Sequence, residues 1–215
     1  MLIYLRADSF LNREENYTTK MKLLKAIITV ILILIGLFFL VGLLKPAVNY
    51  GHTIEVNKPL KEAWAVSQDD SKYNQWLKGF KSIELLSGEK NAVGSTYKVV
   101  VSPGDGNPDF EMIETLKSIK EFEEVDLHFD SEMMDFDQRI LFSENDNMTK
   151  IQTISTAKGN GLIMRSMFGL MEILTGSFQS QEENNIEALK TVIENNTTNY
   201  YAVPASEKVD VSPQQ

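Results

Sequence analysis

The stretch EVDLHFDSEM, residues 124–133, is where the fold can be read most directly. Glu124, Asp126, His128, Asp130 and Glu132 alternate with Val125, Leu127, Phe129, Ser131 and Met133. Successive side chains of a strand point to opposite faces, so this period of two predicts a strand with one wet and one mostly apolar face. Such a strand belongs to an antiparallel sheet covered on one side only. Runs of similar length lie on either side of it: Ser82–Ser87, Thr96–Ser102, Phe110–Lys120, Phe136–Ser143 and Met148–Ala157. Turn-forming residues separate them, among them Gly88 to Lys90, Pro103 to Asp109 and Glu144 to Asn147. Upstream, His52–Val56 predicts an opening strand, residues 60–67 a short helix entered at Pro59, and Asp69–Leu77 a second short helix.

Downstream of the strands the period changes. From Leu162 to about Asn195, Met164, Met167, Phe168, Met171, Leu174, Phe178, Ile186, Leu189, Val192 and Ile193 recur every three or four residues. This stripe, opposite Glu182, Glu183, Glu187 and Lys190, predicts one long amphipathic helix, with a kink expected near Gly169 or Gly176. A one-sided sheet and a one-sided helix bury their apolar faces economically against each other. The expected class is α+β, an antiparallel sheet wrapped on a long C-terminal helix.

A second feature places this domain. Ala26–Leu44 is nineteen residues without a charge, and fifteen of them are Leu, Ile, Val or Phe. A helix of that length spans roughly 28 Å, close to the hydrocarbon thickness of a bilayer. Residues 23–45 therefore read as a transmembrane anchor ended by Pro46, and the run is longer than a signal-peptide core and lacks a small-x-small cleavage site. Residues 1–22 form an N-terminal extension without sustained pattern, within which Met21, followed by Lys22-Leu23-Leu24-Lys25, has the look of a true start. Residues 46–51 are a linker, 52–197 the domain, and 198–215 a tail expected to be disordered.

Charge divides along the chain. Residues 1–45 carry six Lys/Arg against three Asp/Glu, and the remainder fifteen against twenty-seven, within a net charge of −9. So acidic a domain is unsuited to nucleic acid. Arg6, Arg13, Lys20, Lys22 and Lys25 precede the span and only Lys45 follows it closely, which puts the N-terminus in the cytoplasm and the domain outside. There is no cysteine, which excludes disulfides, thiolate metal sites and cysteine nucleophiles.

Three short signals carry a family resemblance: the run Asn57 to Trp64 after the first strand, with Pro59 and the Ala63-Trp64 pair; Trp76 after the second helix in Tyr73 to Trp76; and the Val93-Gly94-Ser95 turn. With the order of elements over residues 52–196, the chain resembles the START-like (SRPBCC) superfamily, and within it the polyketide cyclase/dehydrase and lipid transport group. It departs from the pattern at Ala63, where a larger apolar residue is usual. The resemblance implies a curved helix-grip sheet of about seven strands holding the C-terminal helix, with an apolar cavity between them. It implies no particular activity, because the fold hosts binding, transport and several enzymes.

Candidate chemistry is sparse. Asp105, Asn107 and Asp109 match the first half of a calcium loop, but Phe110 and Leu116 stand where its glycine and bidentate glutamate belong, and a connecting turn is the better reading. His128 shares its face with four carboxylates, which strand geometry makes a solvated charged face. No metal, cofactor or catalytic constellation is expected. Trp64, Trp76, Phe129, Met133, Met167 and Met171 are the expected cavity wall, methionine being an adaptable lining for an apolar ligand. Glu114 and Arg139 lie on strands whose facing the pattern leaves open; an inward one would orient the ligand. Three readings follow: a membrane-anchored module binding a lipid or other hydrophobic small molecule, a cyclase-, dehydratase- or hydrolase-type enzyme in the same cavity, or an interaction domain with a filled core.

Overall fold

A computed structural model describes residues 2–102, 104, 106 and 108–201, with side chains from Tyr17 onward. The chain opens with a single helix, α1 (Leu2–Leu44), which contains the only candidate membrane span among the described residues, Tyr17–Leu44. The N-terminal extension thus continues the helix of the span. It has neither proline nor glycine before Gly36 to interrupt propagation. The apolar side chains of the span point outward into the surroundings, Leu34 being 59% exposed. Pro46 ends the helix, and β1 (Val48–Tyr50) begins two residues later, so the linker expected over 46–51 is in large part a strand.

The rest runs β2 (Thr53–Val56), α2 (Leu60–Ser67), a 3-10 turn at Asp70–Lys72, α3 (Tyr73–Trp76), β3 (Phe80–Ser87), β4 (Thr96–Val101), β5 (Phe110–Lys120), β6 (Glu124–Asp130), β7 (Met134–Asn145), β8 (Met148–Gly159), α4 (Gly161–Thr175) and α5 (Ser177–Glu194). The sheet is antiparallel in the order β1-β8-β7-β6-β5-β4-β3, and β2 continues β1 along β8. The expected α+β class and helix-grip arrangement are present. β6 stops at Asp130, short of the expected Met133. The Ser131 hydroxyl donates to Met134 O (2.8 Å), and the Met134 N–H donates back to Ser131 Oγ (3.2 Å), which closes a turn where three more strand residues were expected.

The C-terminal helix is two helices. Gly176, at φ +59°, adopts a left-handed conformation that breaks the run and is cheapest for glycine. α5 is the helix gripped across the sheet, while α4 meets the sheet along β8 and β1. The C-terminal half of α5 inserts Ile186, Leu189 and Ile193, all at most 2% exposed, into a core built with Ile54, Val56, Val66, Leu116, Ile140 and Ile151. Its N-terminal half is tied to the β1–β2 break, where Gln179 Nε2 donates to Gly51 O at 2.9 Å. α4 instead crosses the end of α1: Gly42 lies against Ser166 and Leu162, and Gly169 against Val41. The tail was expected to start at 198, but Tyr200 still packs on the core and donates its hydroxyl to Asp69 (2.7 Å). Residues 202–215 lie outside the described residues.

Candidate functional site

Where α5 is polar it leaves a space beneath it. Over residues 177–185 (SFQSQEENN) the helix presents Phe178, Gln181, Glu182 and Asn185 to the sheet in place of the branched residues of its second half. The result is a cavity of about 450 Å³. Inward side chains of four strands make its floor: Val99 and Val101, Met112 and Leu116, Val125, Leu127 and Phe129, Phe136 and Ile140. Tyr73, Trp76, Leu77 and Phe80 close a second wall, and Asp70, Lys78 and Lys90 stand at the rim. Size and apolar walls both suit a small ligand.

Few polar groups reach the interior. Glu114 projects inward from β5, paired in register with Tyr97 and Phe129. Among the described residues, nothing hydrogen-bonds or ion-pairs with its carboxyl, and burial alone pushes its pKa up to about 7. Tyr73, whose hydroxyl pKa is raised first by burial and then by Glu114, stands close to it. Across the cavity, Glu182 is 5% exposed and accepts from Gln138 Nε2 (3.2 Å) and Ser155 Oγ (3.4 Å). Burial raises its pKa, and hydrogen bonds from Thr153, Ser155 and Gln138 pull it back. The indole Nε1 of Trp76 is buried with no acceptor among the described residues, which is unusual for a buried donor.

Of the six residues expected to form the wall, the structure brings Trp76, Phe129 and Met171 together at the cavity. The other three lie elsewhere. Trp64 is in the solid core, edge-on to Phe142 (4.9 Å) and Phe122 (5.9 Å), because α2 covers the filled end of the sheet. Met133 sits in the turn that ends β6 and is 42% exposed. Met167 is on the outer side of α4, because that helix lies beside α1. Arg139 points outward, its Nε and Nη2 donating to the Asp126 carboxylate at 2.6 and 3.0 Å. His128 shares that outer face and meets Asp137 at 2.7 Å. Of the imperfect calcium loop, Asp105 and Asn107 lie outside the described residues, and Asp109 pairs with Lys81.

Three lining residues escaped the sequence reading. Tyr50 was placed in a linker, yet it stacks on Phe136 and packs against Phe178. Gln138 was given no facing, and Glu182 was read as part of the polar side of the helix. For Glu182 a signal existed: positions 178, 182, 186, 189 and 193 fall on one helical stripe, so a glutamate there continues the buried face.

No family model and no curated protein matches the chain. Solved structures do. One is Ara h 8.0201, at 15% identity over 70% of this chain and 99% of that one, TM-score 0.55. The curved sheet closed on α5 therefore decides the matter at the level of fold. The chain has the helix-grip, START-like fold. A conserved protein from Geobacillus kaustophilus matches this START-like chain at 20% identity, covering 68% of it and 95% of that chain, TM-score 0.53. The Zhui aromatase/cyclase from Streptomyces sp. R1128 matches at 11% identity, covering 69% and 94%, TM-score 0.53. At these identities the shared property is the START-like fold alone; residue roles have to come from this chain's own cavity.

Proposed function

We propose that this chain is a membrane-anchored START-like module that takes a lipid or similar hydrophobic small molecule into the cavity beneath α5. The carrying observation is that cavity: about 450 Å³, walled chiefly by apolar side chains, with Glu114 the one inward carboxyl lacking a protein hydrogen bond among the described residues. A ligand that fits has an apolar body and one polar end. A hydroxyl end could donate to Glu114 and accept from Trp76 Nε1, which gives each a partner. The apolar α1 supports the membrane assignment, and the lysines and arginines before it support a cytoplasmic N-terminus with the domain outside.

The test is extraction of the full chain in mild detergent, native mass spectrometry of what stays bound, and titration with fluorescent acyl and sterol probes. The expected result is one ligand per chain, displaceable by the probe. Absence of any bound molecule together with absence of probe uptake overturns the reading.

One observation favours a second reading. A carboxyl titrating near neutrality in an apolar pocket is also how a general acid or base is tuned. On that reading Glu114→Gln abolishes turnover of a bound ligand, whereas in a pure binder it only changes affinity.

A further inference from the structure

The outward side of α4 has no partner among the described residues. Ile163, Met167 and Leu174, at 63%, 42% and 72% exposed, fall along one stripe at helical spacing together with the half-buried Leu170. Its two charged residues are both used elsewhere: Arg165 Nε donates to Gly159 O (3.2 Å), and Glu172 accepts from the Phe178 N–H (2.9 Å). Its hydroxyls turn back onto its own backbone, Ser166 to Leu162 O and Thr175 to Met171 O. The outer stripe is thus free of charge along the whole helix.

We propose that α4 lies in the lipid interface of the bilayer, with this stripe facing the acyl chains next to the point where α1 emerges. The proposal rests on the reading of α1 as a membrane span. Two observations choose lipid as the occupant. First, α4 is seated against Val41 and Gly42, within the last turn of the span and so about 5 Å or less from its end at 1.5 Å per residue. Its stripe therefore continues the exposed apolar surface of Leu40, Leu43 and Leu44 at interfacial depth. Second, a second copy of the chain is disfavoured by charge, since fifteen Lys/Arg against twenty-seven Asp/Glu follow the span and two such domains repel. Met171 is both 39% exposed and part of the cavity wall, so this seating puts one side of the cavity at the lipid surface.

The chain lacks cysteine, so single probes can be placed cleanly. Met167→Cys and Leu174→Cys, with Leu34→Cys in the span and Asn184→Cys on the exposed side of α5 as controls, are labelled with an environment-sensitive fluorophore. The full chain is reconstituted into phosphatidylcholine/phosphatidylglycerol vesicles containing lipid spin-labelled either near the headgroup, to report on 167, 174 and 184, or deep in the acyl chain, to report on 34. Quenching at 167 and 174 several-fold above that at 184, and unchanged when protein is diluted in lipid, is the expected result. Quenching at 34 with none above the 184 level at 167 and 174 overturns the inference and leaves the anchor standing. No quenching even at 34 overturns both. Shielding at 167 and 174 from aqueous iodide that is lost on dilution, without lipid quenching, assigns the stripe to a second copy and also overturns it.

Discussion

Glu114 is held between Tyr97 and Phe129 in the middle of the sheet, facing a space whose lysines among the described residues, Lys78 and Lys90, stand at the rim. Burial raises its folded-state pKa from 4.5 to about 7, so between those values the folded chain holds a proton that the unfolded chain has released. Stability from this group is complete below about pH 4.5 and is lost as pH rises through 7. Glu114→Gln is therefore expected to raise the unfolding temperature at pH 8 and to leave it nearly unchanged at pH 4.5, the difference reaching up to about 3 kcal/mol. Scans of both proteins in the same detergent at the two pH values check this. Trp76 makes a complementary case. Its unpaired buried Nε1 is a cost to the ligand-free fold, so in Trp76→Phe relief of that cost offsets part of the packing lost with the smaller ring, while a ligand bearing an acceptor is expected to bind about tenfold more weakly, the value of one hydrogen bond. Titration calorimetry beside thermal unfolding separates the two effects. The facing of Glu114 was illegible beforehand for a specific reason. β5 carries apolar residues on both parities, and a register shift between Leu116 and Ser118 lets Leu116 and Ile119 both line the cavity. Alternation cannot be counted across a bulge. β6, without one, was readable through Val125, Leu127 and Phe129, and failed only where the alternation was carried past the strand's end to Met133.

At the scale of elements, most strands and the helix stripe were legible from their periods and the turns between strands from their Gly, Pro and Asn residues, whereas β1, only three residues long, was taken for linker. The division of that helix was only half legible, because two glycines, Gly169 and Gly176, were equal candidates for a kink. They have different tasks. Gly176 supplies the left-handed residue between α4 and α5, and Gly169 lets α4 approach Val41 of α1 and Lys45 just beyond its end. That helix contact depends also on Gly42: a Cβ there would overlap Ser166 Oγ and crowd the α4 backbone, whereas Gly36 faces open space. Gly42→Val is accordingly expected to displace α4 and cost about 1–3 kcal/mol, as overpacking of a tight contact does, with Gly36→Val close to neutral. Unfolding of the two variants in one detergent, with the wild type alongside, measures the contrast. The α1–α4 contact could not be read from sequence, since nothing in a stretch as apolar as GLIMRSMFGLMEILT distinguishes a helix under a sheet from one beside a span.

For the whole molecule, the join between span and domain is tighter than a linker. Val48 is already paired with Ala157 on β8, three residues after Lys45 extends the hydrogen bonding of α1 to Val41. α4 braces the same junction from the side. The domain is therefore fixed over its anchor, which matters because α1 supplies no side chain to the core or the cavity: among the described residues none of either precedes Val48. Removing residues 1–45 should consequently leave the sheet, α5 and the cavity folded. It would, however, uncover the face of α4 that meets Val41 and Gly42, next to the outer stripe of Ile163, Met167 and Leu174. An apolar surface of that kind on a soluble domain drives association, and the acidity of the domain opposes it only at low salt. The truncated domain is expected to bind the same fluorescent probe as the full chain but to self-associate with rising salt. Adding Ile163→Lys and Leu174→Lys should keep it monomeric with probe affinity unchanged, because neither side chain lines the cavity. Light scattering across a salt series, with probe titration of the same samples, distinguishes this from loss of fold. A truncated domain that stays monomeric at high salt without those substitutions would show that the outer face of α4 is not adhesive, and an aggregated, non-binding one would show that the span is part of the fold itself.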